Sequence, residues 1–169
     1  MGQGLSQYAR RFLSNRAELE RSLDCPVLVW ETPTSRAADP ALPTLTGTAQ
    51  SRPAGGDAMV LEVRKVVGAA NPFVFGVTVG RVDTNDIVID DGSVSRFHAY
   101  LQNDAKAGKW VVVDAESKNG SWVAGRKIAP QERAQVGDSM RLRFGFVEVT
   151  FLEPKTFLAR LAKAVGAAK

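Results

Sequence analysis

Phe97-His98-Ala99-Tyr100-Leu101-Gln102, Lys109-Trp110-Val111-Val112-Val113-Asp114, Ser121-Trp122-Val123 and Arg126-Lys127-Ile128 follow one another in a single stretch of the chain. Each run is short and rich in β-branched or aromatic residues. Asn, Asp, Gly and Lys fill the gaps between them. This composition marks strands parted by turns, since branched and aromatic side chains suit a pleated, half-buried surface. Ala124-Gly125 reads as a tight reversal between the last two runs. Moving outward, residues 59–67, 73–79, 86–89, 139–144 and 146–152 repeat the pattern, with a second reversal at Phe144-Gly145-Phe146. The spacing predicts an all-β sandwich over residues 58–153.

The flanks read differently. Leu5, Tyr8, Phe12, Leu19 and Leu23 recur near helical spacing, which predicts one amphipathic helix over 4–23. Cys25-Pro26-Val27-Leu28-Val29-Trp30-Glu31 predicts a short strand, so residues 1–31 form an N-terminal helix-plus-strand extension. Residues 32–57 carry Pro33, Pro40, Pro43 and Pro53 among Thr, Ser, Ala and Gly. Too little apolar surface is present to offset ordering entropy, so a flexible linker or loop is expected. Pro154 ends the β region. Phe157, Leu158, Leu161 and Val165 share one face of an expected helix over 156–168, and residues 154–169 form a basic C-terminal extension. That face could pack on the sandwich or on the N-terminal helix. No internal repeat is visible.

The bulk numbers narrow the function. The 169 residues are 44% apolar, enough for a real core. No run of 18 apolar residues is present, which argues against a membrane-spanning helix. No secretory apolar segment is read at the N-terminus. The opening Met1-Gly2-Gln3-Gly4-Leu5-Ser6 fits the loose myristoylation pattern, which is short and matches often by chance. Cys25 is the single cysteine, so no disulfide framework exists within the chain and a reducing cytoplasm is expected. The high alanine content suggests a bacterial source. The formal charge is +4, yet residues 59–153 hold twelve Lys or Arg and twelve Asp or Glu. The excess sits in Lys155, Arg160, Lys163 and Lys169, whereas a nucleic-acid-binding domain carries its basic stripe on the folded surface. Neither nucleic acid nor membrane is therefore expected as a partner.

Three signatures lie in successive turn regions: Val79-Gly80-Arg81, Ser95-Arg96-Phe97-His98 and Ser117-Lys118-Asn119-Gly120. Loops at one end of a sandwich cluster in space. An Arg there offers a planar fork that matches two phosphate oxygens. A Ser hydroxyl and loop N–H groups can donate to the others. Charge-assisted bonds of about 1.5–3 kcal/mol each, two or three together, give an affinity on the order of micromolar. Asn119 has one acceptor and two donors, which suits pairing with an extended peptide backbone. Taken singly, Arg81 reads as a surface cation, Ser95 as a turn residue and Asn119-Gly120 as a hairpin signal. Arg96 and Lys118 read equally as solvated charges, His98 as a structural hydrogen-bonder, and Trp30, Trp110 and Trp122 as core or half-buried strand residues.

Gly80-Arg81, Asn85-Asp86-Ile87-Val88-Ile89, Ser95-x-x-His98 and Ser117-x-Asn119-Gly120, in this order and spacing, resemble the forkhead-associated (FHA) domain over about residues 59–153. The resemblance implies a sandwich of about eleven strands that binds phosphothreonine peptides. It implies that Arg81 and Ser95 hold the phosphate, that Arg96 contacts phosphate or peptide, and that Asn119, helped by Lys118, binds the peptide backbone. Gly80, His98 and Gly120 become scaffolding. Ser121 stands where the family often has Thr, and Ala124-Gly125 where it often has Asn-Gly. The implied role is a signalling adaptor in Ser/Thr kinase pathways, its partner a phosphothreonine protein such as the kinase or its substrate. A phosphate-independent interaction module on the same fold is the alternative. Thr32, Thr34, Thr44, Thr46 and Thr48 in the linker are candidate phosphorylation sites that would bind the domain in cis or in trans.

An enzyme reading starts from Ser95, His98 and Asp114. Residues i and i+3 on an extended segment lie on opposite faces and about 10 Å apart, which argues against a relay. No Gly-x-Ser-x-Gly elbow or Walker loop is present. One His and one Cys do not make a metal site of the usual kind, and no cofactor is expected.

Overall fold

The computed structural model describes residues 2–31, 56–66 and 71–166. Residues 32–55 of the expected linker, with all five threonines, lie outside the described residues, as do the last residues of the expected C-terminal helix. In chain order the elements are β1 (Gln3–Gly4), α1 (Leu5–Ser14), α2 (Arg16–Ser22), β2 (Val27–Trp30), β3 (Met59–Glu62), β4 (Val77–Gly80) and β5 (Ile87–Val88). Then come β6 (Ala99–Asp104), β7 (Lys109–Asp114), β8 (Ser121–Val123), β9 (Arg126–Lys127), β10 (Arg133–Val136), β11 (Met140–Phe144), β12 (Val147–Leu152) and α3 (Pro154–Gly166).

The strands form two sheets, ordered β1-β3-β2-β12-β11-β8-β9 and β10-β7-β6-β4-β5. Every pairing is antiparallel except β4 with β5. The expected sandwich with helical extensions is what the structure shows, with twelve strands rather than about eleven. Leu28, Leu61, Val79, Leu101, Val112, Leu142, Phe144 and Phe151 fill the space between the sheets.

A third layer lies outside the larger sheet. Tyr8, Phe12, Phe157 and Leu161 from α1 and α3 pack with Val27, Val29, Val60 and Leu152. Helix α3 thus meets both the sheet and the N-terminal helix. The layering explains why all four residues of β2 are buried. Leu28 and Trp30 point into the sandwich while Val27 and Val29 point under the helices, the continuous apolar run of a strand covered on both faces. Strand β2 sits between β3 and β12, with Leu28 opposite both Leu61 and Phe151. Tyr8 stacks edge-on against Phe157, ring centroids 5.4 Å apart, and donates its hydroxyl to Glu62 at 2.8 Å. Burial, then that hydrogen bond, raises the Tyr8 hydroxyl far above the usual phenol range.

Several local expectations differ from the structure, and the strand expected over 73–79 begins only at Val77. The helix expected over 4–23 is two helices, parted at Asn15. The Asn15 side chain accepts from the Glu18 N–H at 3.1 Å and donates to the Glu18 carboxylate at 2.9 Å, which starts a new helix. The strand expected over 59–67 stops at Glu62, because Lys65 and the Val66 N–H turn to the buried Asp86 carboxylate, at 2.8 and 3.0 Å. Burial alone would raise that carboxyl, but its hydrogen bonds from Lys65, Thr78 and Val66 hold it below the ordinary carboxylate range. Strand β10 was not expected, since Arg133-Ala134-Gln135-Val136 buries only two small residues. Among the described residues no helix is long and apolar enough to cross a membrane, and Cys25 is buried and unpaired.

Phe157 is fully buried at the junction of the three layers. Phe157→Ala is expected to lower unfolding stability by about 3–5 kcal/mol. Urea denaturation followed by circular dichroism measures it.

Candidate functional site

The ends of β4, β7 and β11 and the starts of β6, β8 and β12 share one end of the sandwich, where four loops are tied together by side chains. His98 is the hub. Its ring is inaccessible to solvent. Nδ1 accepts the Ser95 backbone N–H at 3.0 Å, and Nε2 lies 2.9 Å from the Gly120 carbonyl oxygen. A carbonyl only accepts, so Nε2 carries the proton and the ring is neutral. One imidazole therefore joins the loop before β6, in the smaller sheet, to the loop before β8, in the larger. An extended segment would hold Ser95 and His98 far apart. Residues 91–97 turn instead, and the ring folds back under the Ser95 N–H.

Asp114, also buried, forms a second hub. Its carboxylate accepts from the Ser117 N–H at 2.9 Å, the Ser117 hydroxyl at 2.6 Å and the Ser121 hydroxyl at 2.5 Å. Ser117 Oγ in turn accepts the Gly120 N–H at 3.0 Å. This shapes the 115–120 loop. Asn85 donates to the carbonyls of Val82 at 2.9 Å and Arg96 at 2.6 Å, latching the loop after β4 to the Ser95–Phe97 turn. Gly80 allows that contact, for a Cβ there would stand 2.2 Å from the Arg96 carbonyl oxygen. Ser93 takes the Phe146 N–H on its hydroxyl at 2.9 Å and donates to Asp91 at 2.6 Å.

The candidate binding residues fall on this frame. The Arg81 N–H donates to the Ser95 carbonyl at 3.0 Å, so the two residues adjoin along the backbone. The Ser95 Oγ accepts the Lys118 N–H at 3.0 Å, which brings the second and third motifs together. Asn119 donates to the Ser93 carbonyl at 2.8 Å, leaving its amide oxygen without a partner among the described residues. Arg81, Arg96 and Lys118 are exposed, and no carboxylate among the described residues forms an ion pair with them. Gly120 adopts a left-handed φ of 86°, a conformation that favours glycine. The Ser95 hydroxyl binds a backbone N–H rather than the imidazole, and Asp114 serves Ser117 and Ser121, so the three residues weighed as a relay do not form one.

The FHA domain family matches residues 77–145. This stretch is an FHA domain. It spans β4 to β11, while β1–β3, β12 and the three helices lie outside it. Over 69 residues the chain is 32% identical to FHA domain-containing protein PS1 of Arabidopsis thaliana, which is 41% of this chain and 5% of that protein. The chain thus spans a small fraction of that relative's length. Among solved structures, an engineered FHA with Myc-pTBD peptide is 14% identical with a TM-score of 0.50, covering 82% of this chain and 98% of its own. Mycobacterium tuberculosis EmbR in complex with a low affinity phosphopeptide is 19% identical with a TM-score of 0.47, covering 82% of this chain and 30% of its own. The engineered FHA structure shares the fold described above.

The sequence reading missed Ser93 as a loop anchor, Asn85 as a latch and Asp114 as the centre of a serine cluster. Each acts through distant backbone or short polar contacts that leave no hydrophobic period.

Burial holds the His98 ring below the usual histidine range, partly offset by the Gly120 carbonyl and the Asp114 charge. The unfolded ring, near 6.5, takes up its proton first as pH falls. Stability is therefore full above about pH 6.5 and declines as pH drops toward the depressed folded value, by at most about 1.4 kcal/mol per pH unit. Urea titrations between pH 7.5 and 5 should show this slope, and His98→Gln should flatten it. Gly80→Ala should cost about 1–3 kcal/mol by forcing the Arg96 carbonyl aside, with loosened backbone amides at 81–86 and 95–97 by hydrogen exchange.

Proposed function

We propose that this chain is a non-enzymatic adaptor that captures a phosphothreonine in a partner protein. The observation that carries this is the convergence at one tip of Arg81, the Ser95 hydroxyl and the Lys118 segment. The Ser95 Oγ already accepts a backbone N–H, which leaves its own hydrogen to donate outward. Exposed guanidinium and ammonium groups without carboxylate partners among the described residues stand ready for a dianion. Loops fixed by the His98 and Asp114 hubs lose little freedom on binding, which favours affinity.

In the proposed complex Arg81 and Ser95 hold the phosphate, Arg96 and Lys118 add charge, and Asn119 offers its free amide oxygen to a peptide N–H. The engineered FHA cited above is solved with the Myc-pTBD peptide, which supports a peptide ligand here. The same reading places the chain downstream of Ser/Thr kinases, in a reducing cytoplasm that suits one unpaired buried cysteine.

A second reading, phosphate-independent protein binding on the same fold, is favoured by one observation. Val74 and Phe75 are 77% and 71% exposed, and Phe75 belongs to an aromatic group with Phe73, Phe97 and Tyr100 outside the smaller sheet.

Fluorescence anisotropy with a phosphothreonine peptide library and its unphosphorylated counterpart separates the readings. We expect micromolar binding of the phosphorylated pool only, weakened at least about thirtyfold by Arg81→Ala and about tenfold by Ser95→Ala, as loss of one charge-assisted contact implies. Equal binding of both pools, unchanged in Arg81→Ala, would select the second reading.

A further inference from the structure

The helices cover the outer face of the larger sheet over β2, β3 and the Leu152 end of β12. Beyond them, β11, β8 and β9 leave a separate surface. Trp122 on β8 stands opposite Lys127 on β9 and Arg143 on β11. The Arg143 guanidinium lies over the Trp122 ring, 3.5 Å from its centroid, and Lys127 Nζ lies 5.4 Å from the same centroid. Arg141, two residues before Arg143 on the same strand and face, is exposed. A cavity of about 530 Å³ opens here, lined by Trp122, Ser139, Arg141, Arg143 and Glu148 among others.

This surface holds unmatched positive charge. Lys127, Arg141 and Arg143 form no ion pair with a carboxylate among the described residues, whereas neighbouring Arg126 pairs with Glu132 at 2.8 Å. Arg143 faces Glu148 in register, yet stacks on Trp122 instead. Its Nε is shut away from solvent and has no acceptor among the described residues, although buried N–H groups are ordinarily paired. Charge on residues 59–153 is balanced overall, so this excess is local.

The surface also continues the recognition loop. A methyl group placed on Gly120 would stand 2.7 Å from Lys127 Cε, 3.4 Å from its Nζ and 3.3 Å from the Trp122 ring. Gly120 directly follows Asn119. A peptide laid along Asn119 therefore meets the Lys127–Trp122–Arg143 surface within a residue or two. Three strands at about 4.8 Å spacing span roughly 10 Å, the length of about three extended residues. Glu148 bounds the strip on the far side.

We propose that Trp122, Lys127, Arg141 and Arg143 form a docking strip for acidic side chains that flank the phosphothreonine in the same partner segment. This rests on the phosphothreonine reading above. Glu148 and the short span disfavour nucleic acid, whose tight capture takes on the order of six to ten phosphate contacts. The aromatic ring holds Arg143 flat and fixes where its charge is offered, so carboxylates would be recognised by position as well as by charge.

The test uses the full chain and four synthetic peptides: a phosphothreonine flanked by alanines, the same with three glutamates on its N-terminal side, the same with three on its C-terminal side, and an unphosphorylated glutamate peptide. Isothermal titration compares wild type with Lys127→Gln/Arg143→Gln. One phosphorylated glutamate peptide should bind about tenfold tighter than the alanine-flanked one, and the gain should fall below about threefold in the double variant. The alanine-flanked peptide should bind both proteins equally, which also shows that the variant is folded. The gain should shrink with added salt. Equal affinity of the three phosphorylated peptides, or a gain that survives in the double variant, overturns the proposal. So does a short DNA duplex whose tight binding the double variant loses. If no phosphorylated peptide binds at all, the phosphothreonine reading itself fails and this strip falls with it, an outcome the alanine-flanked peptide identifies by itself.

Discussion

The His98 ring is the constraint on which the binding end depends. Two loops from opposite sheets meet at a single imidazole, one through the Ser95 N–H and the other through the Gly120 carbonyl. Only the neutral ring with its proton on Nε2 satisfies both. A buried donor or acceptor left unmade costs about 1–3 kcal/mol, so no other arrangement of these loops competes easily. The motif serine and the motif asparagine lie on either side of this bridge. Their spacing at the tip is thus set by a residue that need not touch any ligand.

Below the bridge, rigidity comes from layering. The sandwich core holds the sheets at fixed separation, and the helical layer seals the larger sheet where β2 would otherwise expose Val27 and Val29. The loops inherit that stiffness through Asp114, which gathers two serine hydroxyls and a backbone N–H at the root of the 115–120 loop. Polar networks of this kind strengthen one another in a low-dielectric setting. The groups proposed to meet a ligand are the long cations, the Ser95 hydroxyl and the Asn119 amide oxygen.

Much of this was legible beforehand. Lys109–Asp114 and Ser121–Val123 match their expected runs residue for residue, because branched and aromatic residues cluster there between clear turn residues. The three loop motifs were readable because their order and spacing are unusual together. What escaped was local competition for hydrogen bonds. Asn15 divides a helix whose apolar period runs through it. Asp86 draws residues 65 and 66 out of a strand that alternates well. The 91–97 turn looks extended until Asp91 and Ser93 are seen bonding to each other. Strand β10 escaped for the opposite reason: its place is set by the neighbouring Val111 and Val113 more than by its own side chains.

The position of β2 has a consequence for how the chain assembles during synthesis. Leu28 must wait for Phe151 before its seam can close, and almost the whole sequence must leave the ribosome in between. Contacts so distant along the chain form slowly, since a long loop must be closed before they yield anything. Until then the Val27–Trp30 segment is an apolar run with no partner on one side, the kind of surface that attracts chaperones or other nascent chains. The middle of the larger sheet is therefore the last seam to zip.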